Sequence, residues 1–200
     1  MILYYSPGAC SMASHLALTE AKANFKTEKV DLKNKKYSGG DFLAVTTKGY
    51  VPALKTDSGE VLTEGAVILQ YIADQNPTAN LLPKFGTMER YKAMEWLNYI
   101  ATEVHKCFSP LWSPATPDAV KASTKEALTK RFTYLANHLA KSDYLLGKTY
   151  SVADSYLFTV MGWTKHVGID LAPWPALLGY MERIQNRPAT HAVLKAEGLM

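Results

Sequence analysis

The chain has 200 residues and a formal net charge of +4 at pH 7, with 48% apolar residues. That length allows one large domain or two unequal ones, and the apolar fraction is enough for a packed core. The mild basic excess contains no block of five like charges, so it does not indicate a nucleic-acid partner. No apolar run reaches the roughly 18 residues that span a bilayer. The two cysteines do not make a disulfide framework, so a reducing, cytoplasmic setting is expected.

The first eighty residues alternate between strand and helix patterns. A short apolar run at 2–5 ends at Ser6-Pro7-Gly8, a strong turn signal, and residues 11–22 have helical spacing. Strands are predicted at 26–32, 51–56 and 60–63, and helices at 41–45 and 65–75. The order β-α-β-α-β-β-α predicts a parallel pair joined by a crossover and a final antiparallel hairpin. This is the order of a thioredoxin-like α/β domain.

Only helix patterns follow residue 87. They cover 87–112, 118–141, 151–168, 175–186 and 189–196. Two prolines and a glycine mark 77–86 as irregular. The predicted organisation is a thioredoxin-like domain over 1–80, a linker at 81–86 and an all-α helical bundle domain over 87–200.

Cys10 is the first candidate site residue. It follows Pro7-Gly8-Ala9 and precedes the first helix, where free backbone N–H groups and the helix dipole stabilise a thiolate. The alternative is a small buried cysteine without a chemical role. No Cys-x-x-Cys pair is present, so disulfide chemistry would need an external thiol. Cys107 lies mid-helix and is interpreted as structural.

Two further segments could bind a ligand with the main chain. Pro52 comes just before an apolar strand and cannot donate to the sheet. Glu64-Gly65 stands where a strand passes into a helix. Glu64 either complements the helix dipole or binds an ammonium group while the helix N–H groups bind a carboxylate.

Two patterns belong to the helical part. Asn98, Thr102, His105 and Ser109 are spaced by four, three and four residues, so they share one helix face. This polar stripe either faces solvent or lines a cleft. Ser151-Val152-Ala153-Asp154 has the form of a capping box, which is a folding signal and not a site.

Five motifs in this order resemble the glutathione S-transferase family, over nearly the whole chain. They are Tyr5-Ser6-Pro7-Gly8-Ala9-Cys10-Ser11, Gly49-Tyr50-Val51-Pro52-Ala53-Leu54, Leu62-Thr63-Glu64-Gly65, Trp96-Leu97-Asn98-Tyr99-Ile100 and Ser151-Val152-Ala153-Asp154. Cys10 together with Glu103-Val104-His105-Lys106 resembles the bacterial beta class in particular.

The resemblance implies a glutathione site along the edge of the first domain. The cysteinyl backbone of glutathione would pair with Val51, held outward by a cis Pro52. Its γ-glutamyl end would meet Glu64 and Gly65, and its thiol would face Cys10. Gly65 stands where a serine is common in the family, so one hydroxyl contact would be absent.

Further residues enter only through the resemblance. Lys35 would approach the glycyl carboxylate, and Asn98 would reach the neighbouring subunit's site in a homodimer. The helical wall would consist of Thr102, Glu103, Val104 and His105, with His105 near the sulfur. Tyr5 holds the position of the tyrosine that activates the thiol in many classes, although beta-class members are usually assigned to the cysteine.

The implied activity is attack of the glutathione thiolate on an electrophilic carbon of a small hydrophobic substrate, a detoxification reaction. Cys10 and His105 would be the catalytic residues, glutathione the co-substrate, and no metal, nucleic acid or membrane would take part. Two alternatives stay open. Cys10 could form a mixed disulfide with glutathione in a thiol-disulfide transferase or a reductive dehalogenase, or the chain could be a carrier of apolar molecules with little catalysis.

Overall fold

The structure is a computed structural model that describes residues 1–200. The chain forms two compact units. The first combines Met1–Leu82 with Arg187–Met200, and the second is Pro83–Asn186. Each unit has its own elements and is described by itself.

A four-stranded sheet lies at the centre of the first unit. Its strands are β1 (Ile2–Tyr5), β2 (Lys26–Lys29), β5 (Ala53–Lys55) and β6 (Val61–Leu62), in the spatial order β2-β1-β5-β6. β1 and β2 are parallel, and the other two pairs are antiparallel. The mixed sheet confirms the thioredoxin-like prediction. Residues 33–45, where only a short helix at 41–45 was expected, hold the hairpin β3 (Lys36–Tyr37) and β4 (Gly40–Asp41) and a single 3₁₀ turn at Phe42–Ala44.

Two helices complete the thioredoxin-like part, α1 (Ser11–Glu20) and α2 (Gly65–Gln75). They pack against each other. The first eight residues of α1 are buried on every face, polar side chains included. A helix that is buried all round needs neighbours on more than one side.

The additional neighbour comes from the C-terminus. The helix α8 (Pro188–Ala196) packs on α1. The expected domain bounds assigned this segment to the helical bundle, whereas Arg187–Met200 groups with the first unit. The physical reason is the burial of α1, because the face of α1 that α8 covers would otherwise be exposed to water.

The second unit is entirely helical, as predicted. Its α-helices are α3 (Met88–Tyr99), α4 (Ser109–Trp112), α5 (Asp118–Leu139), α6 (Val152–Met161) and α7 (Pro175–Gln185). The long helix expected over 87–112 is helical along its length but changes in helix type. A π-helical segment at Ile100–His105 and a 3₁₀ turn at Lys106–Phe108 separate α3 from α4.

The predicted capping box at the start of α6 is present. The Asp154 carboxylate accepts hydrogen bonds from the Ser151 N–H (2.8 Å), the Ser151 hydroxyl (2.8 Å) and the Leu145 N–H (2.9 Å). The Tyr180 hydroxyl also donates to it, at 3.1 Å. Burial raises the pKa of Asp154, and these hydrogen bonds offset part of that shift.

Candidate functional site

The strand register brings three segments of the first unit to one end of the sheet. In β5, Ala53 lies opposite Tyr4 of β1, and Leu54 lies opposite Leu62 of β6. Because antiparallel neighbours run in opposite directions, the end of β1, the start of β5 and the end of β6 meet there. The segments next to these three strand ends are Ser6–Cys10 after β1, Gly49–Pro52 before β5 and Thr63–Gly65 after β6. They carry Cys10, Val51 and Glu64.

Cys10 is the residue immediately before α1. The turn that leads to it is closed by a hydrogen bond from the Ala9 N–H to the Ser6 carbonyl at 3.0 Å. The buried Ser11 hydroxyl holds the same turn, because it accepts from the Ser6 N–H at 3.1 Å and donates to the Ser6 carbonyl at 3.3 Å. The Cys10 side chain is half-buried and stands where a helix N-terminus favours negative charge.

The Cys10 thiol contacts the segment before β5. Its Sγ lies 3.2 Å from the Val51 carbonyl oxygen, to which it donates a hydrogen bond. The Val51-Pro52 peptide bond is cis, in agreement with the expectation from the resemblance. The thiol therefore meets the main chain at the position where the cysteinyl residue of glutathione was expected.

Glu64 stands at the start of α2 in a strained conformation. Its φ is +68° and its ψ is 112°, a region that costs a residue with a side chain on the order of 1–3 kcal/mol. The carboxylate is exposed and forms an ion pair with Lys48, Nζ to Oε1, at 2.6 Å. The N–H groups of Gly65 and Ala66 begin α2, and the geometry of a helix gives them no acceptor within it. Such a helix start can bind a ligand carboxylate with its N–H groups while the Glu64 carboxylate binds a ligand ammonium.

Lys35 lies beside the chain segment that leads into Val51. Its ammonium donates to the Gly49 carbonyl at 2.9 Å and lies 5.9 Å from the centre of the Tyr50 ring. Lys35 has a φ of +54°, so the loop places it in the left-handed region. The side chain is thus directed toward the segment before Pro52 and not into bulk solvent.

The other thiol and the tyrosine give weaker candidates. Burial raises the pKa of the Cys107 thiol, which disfavours its thiolate and agrees with a structural role. Burial and then the nearby Glu197 carboxylate raise the pKa of Tyr5, so its hydroxyl keeps its proton at neutral pH.

The polar stripe of the second unit divides into two parts. The side chains of Asn98 and Thr102 are exposed, and the Thr102 hydroxyl donates to the Asn98 carbonyl at 3.0 Å. Glu103 pairs with Arg131 at 2.7 Å. Val104 is fully buried in the helical core, so only its main chain is available to a ligand. The π-helical segment has a wider turn than an α-helix, so residues spaced by four, three and four positions do not share one face across it.

His105 is the half-buried member of the stripe. Its Nδ1 is 2.7 Å from the Tyr156 hydroxyl, and its ring packs against Trp163 with centroids 4.9 Å apart. Burial, with a smaller effect of Lys106, lowers the pKa of His105 to about 4. At pH 7 the neutral ring is about a thousandfold more populated than the imidazolium. His105 can therefore act as a neutral hydrogen-bonding group, and it is a weak base.

The second unit also holds a cavity of about 380 Å³. Its lining consists of Leu111, Asp118, Lys121, Ala122, Lys125 and Val167. Leu111 lines this cavity, whereas the nearby Phe108 is fully buried in the core and Trp112 is half exposed against Trp163. Nowhere in the chain do three or more His, Cys, Asp or Glu side chains lie close enough to hold a metal ion. None of the helices combines the length and the apolar character that crossing a membrane requires.

Some residues near the site were not predicted from the sequence. Ser11 was quoted only as part of a motif, yet its hydroxyl fixes the turn before Cys10. Lys48 was not singled out, although it binds the Glu64 carboxylate. Glu197 has no local pattern that connects it to residues 8 or 15, which it contacts. The burial of α1 on every face, which requires a further element to cover it, is known only from the structure.

Comparison with protein families gives two matches along the chain. Residues 1–74 match the glutathione S-transferase N-terminal domain, and residues 99–188 match the glutathione S-transferase C-terminal domain. Together they cover most of the 200 residues. The glutathione S-transferase GstA of Escherichia coli O157:H7 is 44% identical over 200 residues, which is the full length of both chains.

Two solved structures are similar over the whole chain. A bacterial beta class glutathione S-transferase of Sphingomonas chungbukensis is 47% identical, with a TM-score of 0.96 and full coverage of both chains. A sphingomonad glutathione S-transferase complexed with glutathione is 49% identical, with a TM-score of 0.97 and the same coverage. The matched domains, the thiol beside Val51 and the helix start at Glu64 lead to one conclusion: this chain belongs to the glutathione S-transferase family and resembles its bacterial beta class.

Proposed function

We propose that this chain is a glutathione transferase that joins the thiolate of glutathione to an electrophilic carbon of small apolar substrates. One observation carries the proposal. A thiol, a main-chain carbonyl and a strained acidic helix start lie in succession at one end of a single sheet. Glutathione offers a matching succession of a sulfur, a peptide group and a γ-glutamyl end with one ammonium and one carboxylate.

Each part of glutathione has a partner of suitable chemistry in the first unit. We assign its γ-glutamyl ammonium to the Glu64 carboxylate and its γ-glutamyl carboxylate to the N–H groups that begin α2 at Gly65. We assign its cysteinyl backbone to Val51 and its glycyl carboxylate to Lys35. The Lys48–Glu64 ion pair supports this assignment, because it demonstrates that the Glu64 carboxylate is accessible to an ammonium group.

The reaction is a substitution in which the thiol proton leaves to solvent or base and the thiolate attacks the electrophilic carbon. With an aryl halide as substrate, a carbon–sulfur bond forms, the carbon–halogen bond breaks and the halide departs with the bonding pair. The helix start at Cys10 favours negative charge on a neighbouring sulfur, which lowers the free energy of the attacking thiolate. Binding both partners in one orientation supplies the remaining rate enhancement.

The resemblance also supports roles in the second unit. We propose that Thr102, Glu103 and the main chain of Val104 contact glutathione or its product. We propose that His105 donates a hydrogen bond from its neutral ring to the sulfur, since its low pKa makes it a poor base. A homodimer in which Asn98 reaches the partner's glutathione, and a cytoplasmic detoxification role, are part of the same proposal.

Removal of the Glu64 charge tests the binding assignment. The variant Glu64→Gln keeps the shape of the side chain but loses the ion pair with the γ-glutamyl ammonium, so the Kd of glutathione should rise about tenfold or more. Calorimetric titration measures it. The matched control is Glu126→Gln, on an exposed position of α5. If both variants bind glutathione like the wild type, the assignment is wrong, and a wild type without affinity for immobilised glutathione contradicts the function itself.

Disulfide transfer is a second candidate, favoured by the contact between the Cys10 thiol and Val51. In that reaction the Cys10 thiolate attacks a disulfide of glutathione with a substrate thiol, and the substrate leaves as a thiolate. A second glutathione thiolate then attacks the protein–glutathione disulfide, which releases glutathione disulfide and restores Cys10. The variant Cys10→Ala separates the two activities. Conjugation of an aryl halide should survive with a rate reduced about tenfold, whereas disulfide reduction should be abolished.

A further inference from the structure

We infer that Glu197, near the opposite end of the chain, is a positioning residue for Cys10. This inference deepens the proposed function, since it assigns a residue that controls the thiol of the same site. The Glu197 side chain is fully buried, and it lies just after α8 in the first unit. Nothing in the local sequence of α8 indicates a role at the site.

The Glu197 carboxylate holds the Cys10 turn through both of its oxygens. Oε2 accepts the backbone N–H of Gly8 at 2.9 Å, and Gly8 lies inside the turn between Ser6 and Cys10. Oε1 lies 2.9 Å from Nδ1 of His15, which is on α1 one and a half turns after Cys10. The carboxylate therefore connects the turn to the helix whose start carries the thiol. A buried carboxylate with two partners is a strong point of attachment.

The end of the chain has a geometry that presents this carboxylate. The Gly198 N–H donates to the Lys195 carbonyl at 3.1 Å, and the Leu199 N–H donates to the Leu194 carbonyl at 2.8 Å. Gly198 has a φ of +70°, as expected for a glycine that closes a helix. The returning chain places the Leu199 side chain within 3.6 Å of where a Cβ on Gly8 would stand. The C-terminal segment thus reaches Gly8 with both Glu197 and Leu199.

The opposite end of α1 offers a matched contact that does not involve the turn. Arg187, just before α8, donates two hydrogen bonds to Glu20, from Nε to Oε1 at 2.6 Å and from the guanidinium to Oε2 at 2.9 Å. This pair also connects α1 to the C-terminal segment. Since α1 ends at Glu20, the pair is a full helix length away from Cys10. If Glu197 only stabilised the fold, loss of its contacts and loss of the Arg187–Glu20 pair would have the same effect on the reactivity of Cys10.

The test measures the chemistry of Cys10 without glutathione. A Cys107→Ser background leaves Cys10 as the one cysteine, and iodoacetamide alkylates it at pH 7. We expect Glu197→Ala to slow alkylation about tenfold, because a released turn no longer keeps the sulfur at the helix start. Glu197→Gln should stay within about twofold of the background protein, because the amide oxygen can still accept the Gly8 N–H.

The control is Arg187→Ala, which removes the matched contact. It should lower the melting temperature but leave the alkylation rate within about twofold. Equal alkylation rates for Glu197→Ala and the background protein would overturn the inference, as would equal slowing by Arg187→Ala and Glu197→Ala. If Glu197→Ala fails to fold, the same comparison is made with Glu197→Asp, whose shorter side chain retracts the carboxylate from Gly8 and should also slow alkylation. Because iodoacetamide needs no glutathione site, a failure here is distinct from a failure of the proposed function.

Discussion

Each of the two units contains a buried carboxylate that accepts hydrogen bonds from the main chain, one for Glu197 and two for Asp154, and the two carboxylates have different roles. Asp154 in the second unit reaches only three to nine residues back for its backbone donors, Ser151 and Leu145. Glu197 in the first unit reaches 189 residues back to Gly8. The first secures the start of a helix, and the second holds the turn that carries a thiol.

The comparison indicates that a carboxylate bonded to its sequence neighbours stabilises the fold. A carboxylate bonded to residues far away in the sequence can also fix the geometry of a site. The backbone hydrogen bonds of the Asp154 carboxylate can form as soon as α6 forms, since their donors are neighbours in sequence. The contact of Glu197 with Gly8 exists only once both ends of the first unit are folded. Changes at Asp154 should therefore alter the free energy of unfolding, and changes at Glu197 should alter the behaviour of Cys10 as well.

The largest expected effect belongs to Asp154→Ala. The change leaves two backbone N–H groups and the Tyr180 hydroxyl without their acceptor in a buried place. We expect a loss of about 3–5 kcal/mol in the free energy of unfolding, measured by chemical denaturation. The protein that remains folded should be alkylated at Cys10 at the wild-type rate. A change in that rate would break the distinction between the two carboxylates.

Acid should destabilise the second unit through His105. Its pKa is about 4 in the folded protein against an ordinary value of 6.5, so the unfolded chain binds the proton first. Stability is therefore fully present above pH 6.5 and is lost as the pH falls toward 4, by about 3 kcal/mol for this group. The difference in unfolding free energy between the wild type and His105→Gln should shrink over that interval. The exposed His191→Gln serves as control, and a parallel pH dependence of His105→Gln and the wild type would refute the burial effect.

The smallest expected effect is that of Ser151→Ala. The variant removes the hydroxyl from the cap of α6 but leaves the Asp154 carboxylate with its backbone donors. We expect a loss of about 1 kcal/mol, determined from the denaturation midpoint. Ser123→Ala, at an exposed position within α5, should change stability far less. A Ser151→Ala effect as large as that of Asp154→Ala would mean that the carboxylate acts through the hydroxyl alone.

The features that could be predicted from the sequence are those with a local pattern. The order of the four sheet strands and of α1 and α2 follows from apolar spacing and turn residues, and the cap of α6 follows from Ser151 and Asp154 three residues apart. The placement of Cys10 and Val51 at one site was implied only by the family resemblance, and it results from the antiparallel pairing of β1 with β5.

The remaining features depend on contacts that no short pattern encodes. The packing of α8 on α1 joins segments from opposite ends of the chain. The π-helical segment at Ile100–His105 shifts the positions that share a face, so an α-helical spacing rule grouped the half-buried His105 with the exposed Asn98 and Thr102. The low pKa of His105 results from its packing against Tyr156 and Trp163, which lie more than fifty residues away in sequence.

A crystal structure of this chain grown with glutathione tests the central claim most directly. We predict that the γ-glutamyl end lies at Glu64 and Gly65, that the cysteinyl backbone is hydrogen-bonded to Val51, and that the sulfur lies beside Cys10 or is bonded to it. Glutathione bound with its sulfur away from Cys10, or with its γ-glutamyl end away from the start of α2, would contradict the site described for the first unit.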